Sequence, residues 1–347
     1  MSLGKRFPFI PRFGRLASGI GLSLSLLAGS LAAPQAAQAE GQIRIAEQFG
    51  IVYLLLNVVR DQQLIEKHGK ADGLDINVDW QQLSGGAAIN DALLSGAIDI
   101  AGAGIGPLLT VWDRTHGKQN VKGVASLGNF PYYLLSNDPN VKTIADFTEK
   151  DRIAVPAVGV SVQSRFLQYA AAKQWGDDQY DRLDKYTVAL PHPDATASLL
   201  SGGTELTGHF ANQPFQNQAL KNPDVHVVLD TYELLGPNSP TVLYATEQFR
   251  NDNPKTYKAF VAALAEAAEF AQHDKAAAAE TYIRVTGAKI SREDLLKIID
   301  HEQFQFSVTP TNTYPLAEFL QRVGAIKHKP ASWQDYFFED AAIGQGS

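Results

Sequence analysis

SGGAAINDALLSGAIDIAGAG, Ser84–Gly104, is the stretch on which the fold turns. A small-residue loop, Ser84-Gly85-Gly86, leads into an amphipathic run at Ala87–Ser95. Ile98-Asp99-Ile100-Ala101 then reads as a short apolar strand ending in Gly102-Ala103-Gly104. Loop, helix and strand in this order make the return half of a parallel βαβ unit. Upstream, Ile43–Ala46 reads as a strand, Val52–Gln63 as a helix and Ile76–Trp80 as a second strand, and downstream Val121–Leu127 reads as a further one. Together these predict one α/β lobe with strand ends and helix starts along one edge.

The same alternation restarts near Phe130. Tyr132–Leu135, Arg152–Val155, Tyr186–Ala189, Leu206–Phe210 and Val225–Leu229 read as strands. Thr143–Phe147 reads as a short helix, Val162–Trp175 as a long one and Ala195–Leu200 as a third, with Val162, Phe166 and Tyr169 at helical spacing. Thr241–Ala245 is expected to return the chain to the first lobe, followed by helices at Lys255–Phe270, Lys275–Val285, Arg292–Ile299 and Leu316–Val323. The expected organisation is one lobe from residues 40–129 plus 241–347 and a second from 130–240. Crossings near 129–131 and 232–241 would form a two-stranded hinge. The fold class is α/β, two lobes, each a mixed and mostly parallel sheet flanked by helices.

The 347 residues are 45% hydrophobic and 19% charged, ample for buried cores. The absence of Cys excludes disulfides, thiolate metal sites, a Cys nucleophile, iron–sulfur clusters and the lipidated Cys of bacterial lipoproteins. Thirty basic against 37 acidic residues give a net charge of −7, which argues against a nucleic-acid-binding face. Residues 1–39 hold Lys5, Arg6, Arg12 and Arg15 and no acid, then the apolar stretch Leu16–Ala33, then Ala37-Gln38-Ala39. That is the order of a secretory signal cleaved after Ala39. Removing its four positive charges takes the net charge from −7 to −11. The expectation is an acidic chain exported to the periplasm without a lipid anchor.

The run Ser84–Ala101, with its ALxxGxID pattern at Ala92–Asp99, resembles the nitrate/sulfonate/taurine solute-binding proteins of ABC importers, the SsuA/NMT1-like family. Thr143–Pro156, Gly159–Ser164, His192–Phe210 and Tyr244–Leu264 continue the resemblance, which spans residues 42–323. It implies a type II-like periplasmic-binding-protein fold that closes on a small solute. The implied ligand is anionic: a sulfonate, taurine, nitrate or an aromatic carboxylate. The implied partners are an inner-membrane ABC permease and its ATPase, with no cofactor, no catalysis and a monomer as working state. The family also has kin among thiamine-pyrimidine-precursor binders and a pyrimidine synthase; the synthase relies on cysteines, which this chain lacks. Asp99 is expected to serve the fold. An exported hydrolase is the alternative from another class. No G-x-S-x-G, Walker A or G-x-G-x-x-G spacing supports it, and no His spacing suits a metal.

An acidic protein that captures an anion needs local attraction from backbone N–H groups at helix starts. Ser84, Gly85 and Gly86 in one lobe, and Ser161, Val162 and Gln163 in the other, fit that need, with Ser161 doubling as an N-cap. Ala103 and Gly104 sit at a strand end, in the crevice position of open α/β sheets, and Gln48 and Phe49 follow the first strand similarly. Asn129 lies at the first crossing. His192 follows one strand of the second lobe, with Asp194 read as the N-cap of the next helix. His209 and Asn212 are expected to read the polar end of the ligand, and Phe210 to stack on it.

Overall fold

The computed structural model describes residues 40–340 and 343–347, so the signal-peptide reading of residues 1–39 lies outside the described residues. Among the described residues ten strands form two five-stranded sheets. The first has the order β2-β1-β3-β10-β4, from β1 (Gln42–Glu47), β2 (Asn77–Gln82), β3 (Ile100–Gly104), β4 (Lys122–Gly128) and β10 (Thr241–Ala245). The second has the order β7-β6-β8-β5-β9, from β5 (Tyr133–Ser136), β6 (Arg152–Val155), β7 (Thr187–Ala189), β8 (Leu206–Ala211) and β9 (His226–Asp230). In each, three parallel strands meet a strand of opposite direction, β10 in one and β5 in the other. The two sheets therefore repeat one architecture.

Gly102–Gly104 belongs to β3 because β10, far along the chain, pairs with it antiparallel from Thr241↔Gly104 to Tyr244↔Ala101. No local periodicity announces that pairing, which is why the sequence reading ends the strand early. The small residues are required there: a Cβ on Gly102 would lie 2.8 Å from the carbonyl oxygen of Ala46 on β1. Helices Leu54–Asp61, Leu64–Ala71, Pro254–His273 and Lys275–Thr286 pack together over this sheet. Helices Gly86–Leu94 and Ile105–Thr115 cover its centre. The helix expected over Val52–Gln63 is a 3-10 turn at Ile51–Tyr53 running into Leu54–Asp61, and Gln63, with φ 51°, starts a second helix, Leu64–Ala71, that the sequence reading did not foresee.

Asp99 serves the fold, as expected. Its carboxylate accepts from Arg44 Nε at 2.9 Å, Arg44 Nη2 at 2.6 Å and the Arg44 backbone N–H at 2.9 Å, tying the entry of β3 to β1. Asp99→Ala is therefore expected to cost about 1–3 kcal/mol in urea unfolding while leaving solute affinity unchanged. A variant of wild-type stability would refute that role.

The chain passes between the sheets after Gly128 and again over 231–240, where Tyr132 Oη and Thr241 Oγ1 hydrogen-bond at 2.5 Å. The sequence reading groups all of 241–347 with the first sheet, but helix Tyr314–Arg322 packs on the second. Phe319 stands edge-on to Tyr169 with centroids 5.1 Å apart, and Arg322 pairs with Asp177 at 2.6 Å. Among the described residues no helix is long and apolar enough to cross a membrane.

Candidate functional site

The C-terminal ends of the parallel strands of both sheets face one another, so the segments that follow β1, β2, β3, β6, β7 and β8 meet in one crevice. Between them lies an inner cavity of about 20 Å³. The first sheet contributes Gln48, Phe49, Tyr53, Gly86, Gly104, Pro107 and Thr241, and the second Ser161, Val162, Gln163, His192 and Asn212, with Tyr132 from the crossing. Four helices of eight or more residues start on its wall. Gly86 and His192 are the first residues of theirs, and Gly104 and Ser161 are N-caps. Helix starts carry N–H groups without intrahelical partners and the positive end of a helix dipole, although here Ile105 N–H donates to Pro240, Ser164 N–H to Ser161, and Pro107 and Pro193 have none.

The side chains of the cavity form a neutral network. Gln163 Nε2 and His192 Nε2 lie 3.2 Å apart, and His192 Nδ1 and His209 Nε2 lie 3.0 Å apart. With the amide donating, His192 holds its proton on Nδ1 and passes a hydrogen bond to His209, whose own Nδ1 is buried without a partner. Phe215 stacks on His192 at 5.6 Å. Burial holds His192 neutral, down to a pKa of about 3, and burial, with His192 beside it, holds His209 well below its ordinary value. Asn212 donates to the carbonyl of Phe49 across the crevice at 3.2 Å, and its Oδ1 is buried with no partner of hydrogen-bonding geometry. Ser161 Oγ accepts from Ser164 N at 3.2 Å, so it caps its helix while lining the cavity.

Of the residues singled out by sequence, Gln48, Phe49, Gly86, Gly104, Ser161, Val162, Gln163, His192 and Asn212 line the cavity. His209 stands behind His192. Ser84 is exposed outside it, Gly85 is buried against Pro156, and Ala103 is buried within β3. Asn129 is spent in the crossing, where its side chain bonds Ser239 and Thr311. Phe210 does not stack in the cavity: strand alternation sends it to the opposite face from His209, into the core beside Phe166. Asp194 is not an N-cap, because the helix begins at His192 behind Pro191. Tyr53, Pro107, Tyr132 and Thr241 line the cavity unforeseen; the two crossings were the available signal for Tyr132 and Thr241.

Sharing the Gln48, Phe49 and Tyr53 wall, the crevice widens into a chamber of about 650 Å³. Glu47, Trp80 and Tyr282 come from one side of it, and Thr196, Leu200 and Phe215 from the other. Glu47 is 6% exposed, and its two carboxylate oxygens each lie 3.4 Å from Asn57 Nδ2. Burial pushes its pKa up to about 8, against the opposing pull of Arg60 and Asn57. Among the described residues no cluster of His, Asp and Glu has the makings of a metal site.

A model of the NMT1-like family matches residues 56–285. The alkanesulfonate-binding protein SsuA from Xanthomonas axonopodis pv. citri, solved with MOPS bound, is 16% identical. That match covers 83% of this chain and 95% of that one, with a TM-score of 0.66. The periplasmic aliphatic sulphonate-binding protein SsuA of Escherichia coli is 17% identical over 86% of this chain and 99% of that one, with a TM-score of 0.60. The periplasmic nitrate-binding protein NrtA of Synechocystis PCC 6803 is 17% identical over 88% and 75%, with a TM-score of 0.58. These likenesses give the fold, that of the periplasmic binding proteins. No curated protein sequence matches the chain.

Proposed function

We propose that this chain, which belongs to the NMT1-like family, is the solute-binding component of an ABC importer, capturing a small anion between its lobes. It acts in the periplasm, as a monomer and without catalysis, and hands the solute to an inner-membrane permease driven by its ATPase. The observation that carries the anion is the convergence of four helix starts on one cavity whose lining includes no Lys, Arg, Asp or Glu. Such a site binds negative charge through backbone N–H groups without needing a cationic side chain.

The volume of the inner cavity supports a moving cleft. A space of about 20 Å³ holds roughly one water, so any larger solute needs the lobes to separate. We take residues 40–129 with most of 241–347, and 130–240, as the two bodies, hinged at the crossings near 129–131 and 232–241. A second reading, a neutral pyrimidine, draws support from the amide and imidazole groups of Gln48, Gln163, Asn212 and His192 on the wall.

A thermal-shift screen against nitrate, taurine, alkane- and arylsulfonates, benzoate and an aminopyrimidine tests the reading. One anion is expected to raise the melting temperature, by an amount equivalent to about 2.7 kcal/mol at 100 times its dissociation constant. Stabilisation by the aminopyrimidine alone would replace the anion reading with the second one.

A further inference from the structure

The inner cavity is too small for an organic solute's body, whereas the adjoining chamber, at about 650 Å³, lies within the range of small-molecule sites. Its chemistry differs from that of the cavity. Glu47 is a buried carboxyl with only two long contacts, both to one amide, and it takes part in no ion pair within the described residues. Asn57, also on the chamber wall and 1% exposed, has an Oδ1 with no partner. Asn57 Oδ1 lacks a donor, and Glu47 has only the long Asn57 amide contacts. Phe49, Trp80 and Phe215 supply flat apolar surface around them.

We propose that this chamber is the second compartment of the solute site, in which Glu47 accepts the ammonium or amidinium N–H groups of an elongated solute whose anionic end occupies the inner cavity. This rests on the anion-capture reading above and narrows it to amino-bearing organic anions. Aromatic faces beside the carboxyl favour a cation in the same place. The titratable groups on the chamber wall are Glu47, Tyr53, Arg60, Tyr282 and Lys289, all from the first-sheet side. Arg60 and Lys289 are exposed and border the chamber from solvent, Arg60 close enough to pull on Glu47, while Glu47 lies buried. The second-sheet side lines the chamber only with the neutral Pro193, Thr196, Ala197, Leu200, Pro214, Phe215 and Gln218.

Burial keeps Glu47 protonated at neutral pH, its pKa being about 8. An arriving ammonium favours the carboxylate, so binding at pH 7 releases a proton to solvent. The test titrates benzenesulfonate, 4-(aminomethyl)benzenesulfonate and benzylammonium into the wild-type chain and Glu47→Gln, in two buffers of different ionisation enthalpy. The aminomethyl probe is expected to bind wild type about tenfold or more tightly than benzenesulfonate, as a charge-assisted hydrogen bond affords. It should release close to one proton per molecule. Glu47→Gln is isosteric, and it should erase both the preference and the proton release. An equal preference in Glu47→Gln, or no Glu47-dependent binding of either ammonium probe, overturns the proposal. Binding of benzylammonium that depends on Glu47, with no binding of either sulfonate, would sink the anion reading and leave Glu47 as the ammonium acceptor.

Discussion

Gly85→Val is expected to leave the melting temperature of the unliganded chain close to wild type and to weaken the best-binding solute by roughly 10- to 100-fold, the cost of overpacking a closed contact. Gly85 caps helix Gly86–Leu94 in extended backbone, with φ −171°, so a side chain introduces no local strain. Across the crevice, however, a Cβ there would lie 2.3 Å from the carbonyl oxygen of Pro156, a backbone atom that cannot swing aside. On the proposed reading of two hinged lobes, the clash arises only when they are closed. If closure and capture are coupled, the substitution acts on affinity and not on folding. Calorimetric titration of the variant, with its melting curve measured alongside, checks this. Wild-type affinity would mean that the solute binds without the Gly85–Pro156 contact.

Acid is expected to unfold the chain through His192 and His209. Both stay neutral in the native state, with His192 at about 3 and His209 well below its ordinary value, while the unfolded chain protonates them near 6.5. Between these values the unfolded state binds more protons. Their stabilising contribution is therefore complete above pH 6.5 and is lost as pH falls toward 3. For His192 alone this amounts to roughly 2 kcal/mol between pH 7 and pH 5, and His209 adds in the same direction. Glu47 acts in the opposite sense: its raised pKa makes its contribution complete below about 4.5 and lost as pH rises toward 8. The comparison must therefore be made between wild type and His192→Gln/His209→Gln, both of which keep Glu47. Urea unfolding at pH 7, 6 and 5 should give curves that diverge, with the variant falling less steeply. Parallel curves would show that the histidines are not held neutral.

The strand-end logic was legible in the sequence because the turns after parallel strands are local. Gln48 and Phe49 after β1, Gly104 at the end of β3, and Ser161 to Gln163 after β6 reach the cavity for that reason. Tyr132 and Thr241 were not legible as site residues, since their approach depends on two crossings far apart in the chain meeting side by side. Phe210 was misread because its neighbour His209 carried the chemistry, and a strand's period of two puts adjacent residues on opposite faces. Glu47 gave no signal at all. As the last residue of β1 it looks like a polar strand end. Its burial comes from Tyr53, Asn57 and Tyr282, the last on a helix more than half the chain away.

The most direct test of the central claim is a crystal structure of the chain with the solute that stabilises it most in the screen. The account predicts the anionic group in the inner cavity, within hydrogen-bonding distance of the backbone N–H of Gly86 and of the side chains of Ser161, Gln163 and Asn212. A solute bound with its anionic group outside that cavity, away from all the helix starts, would contradict it.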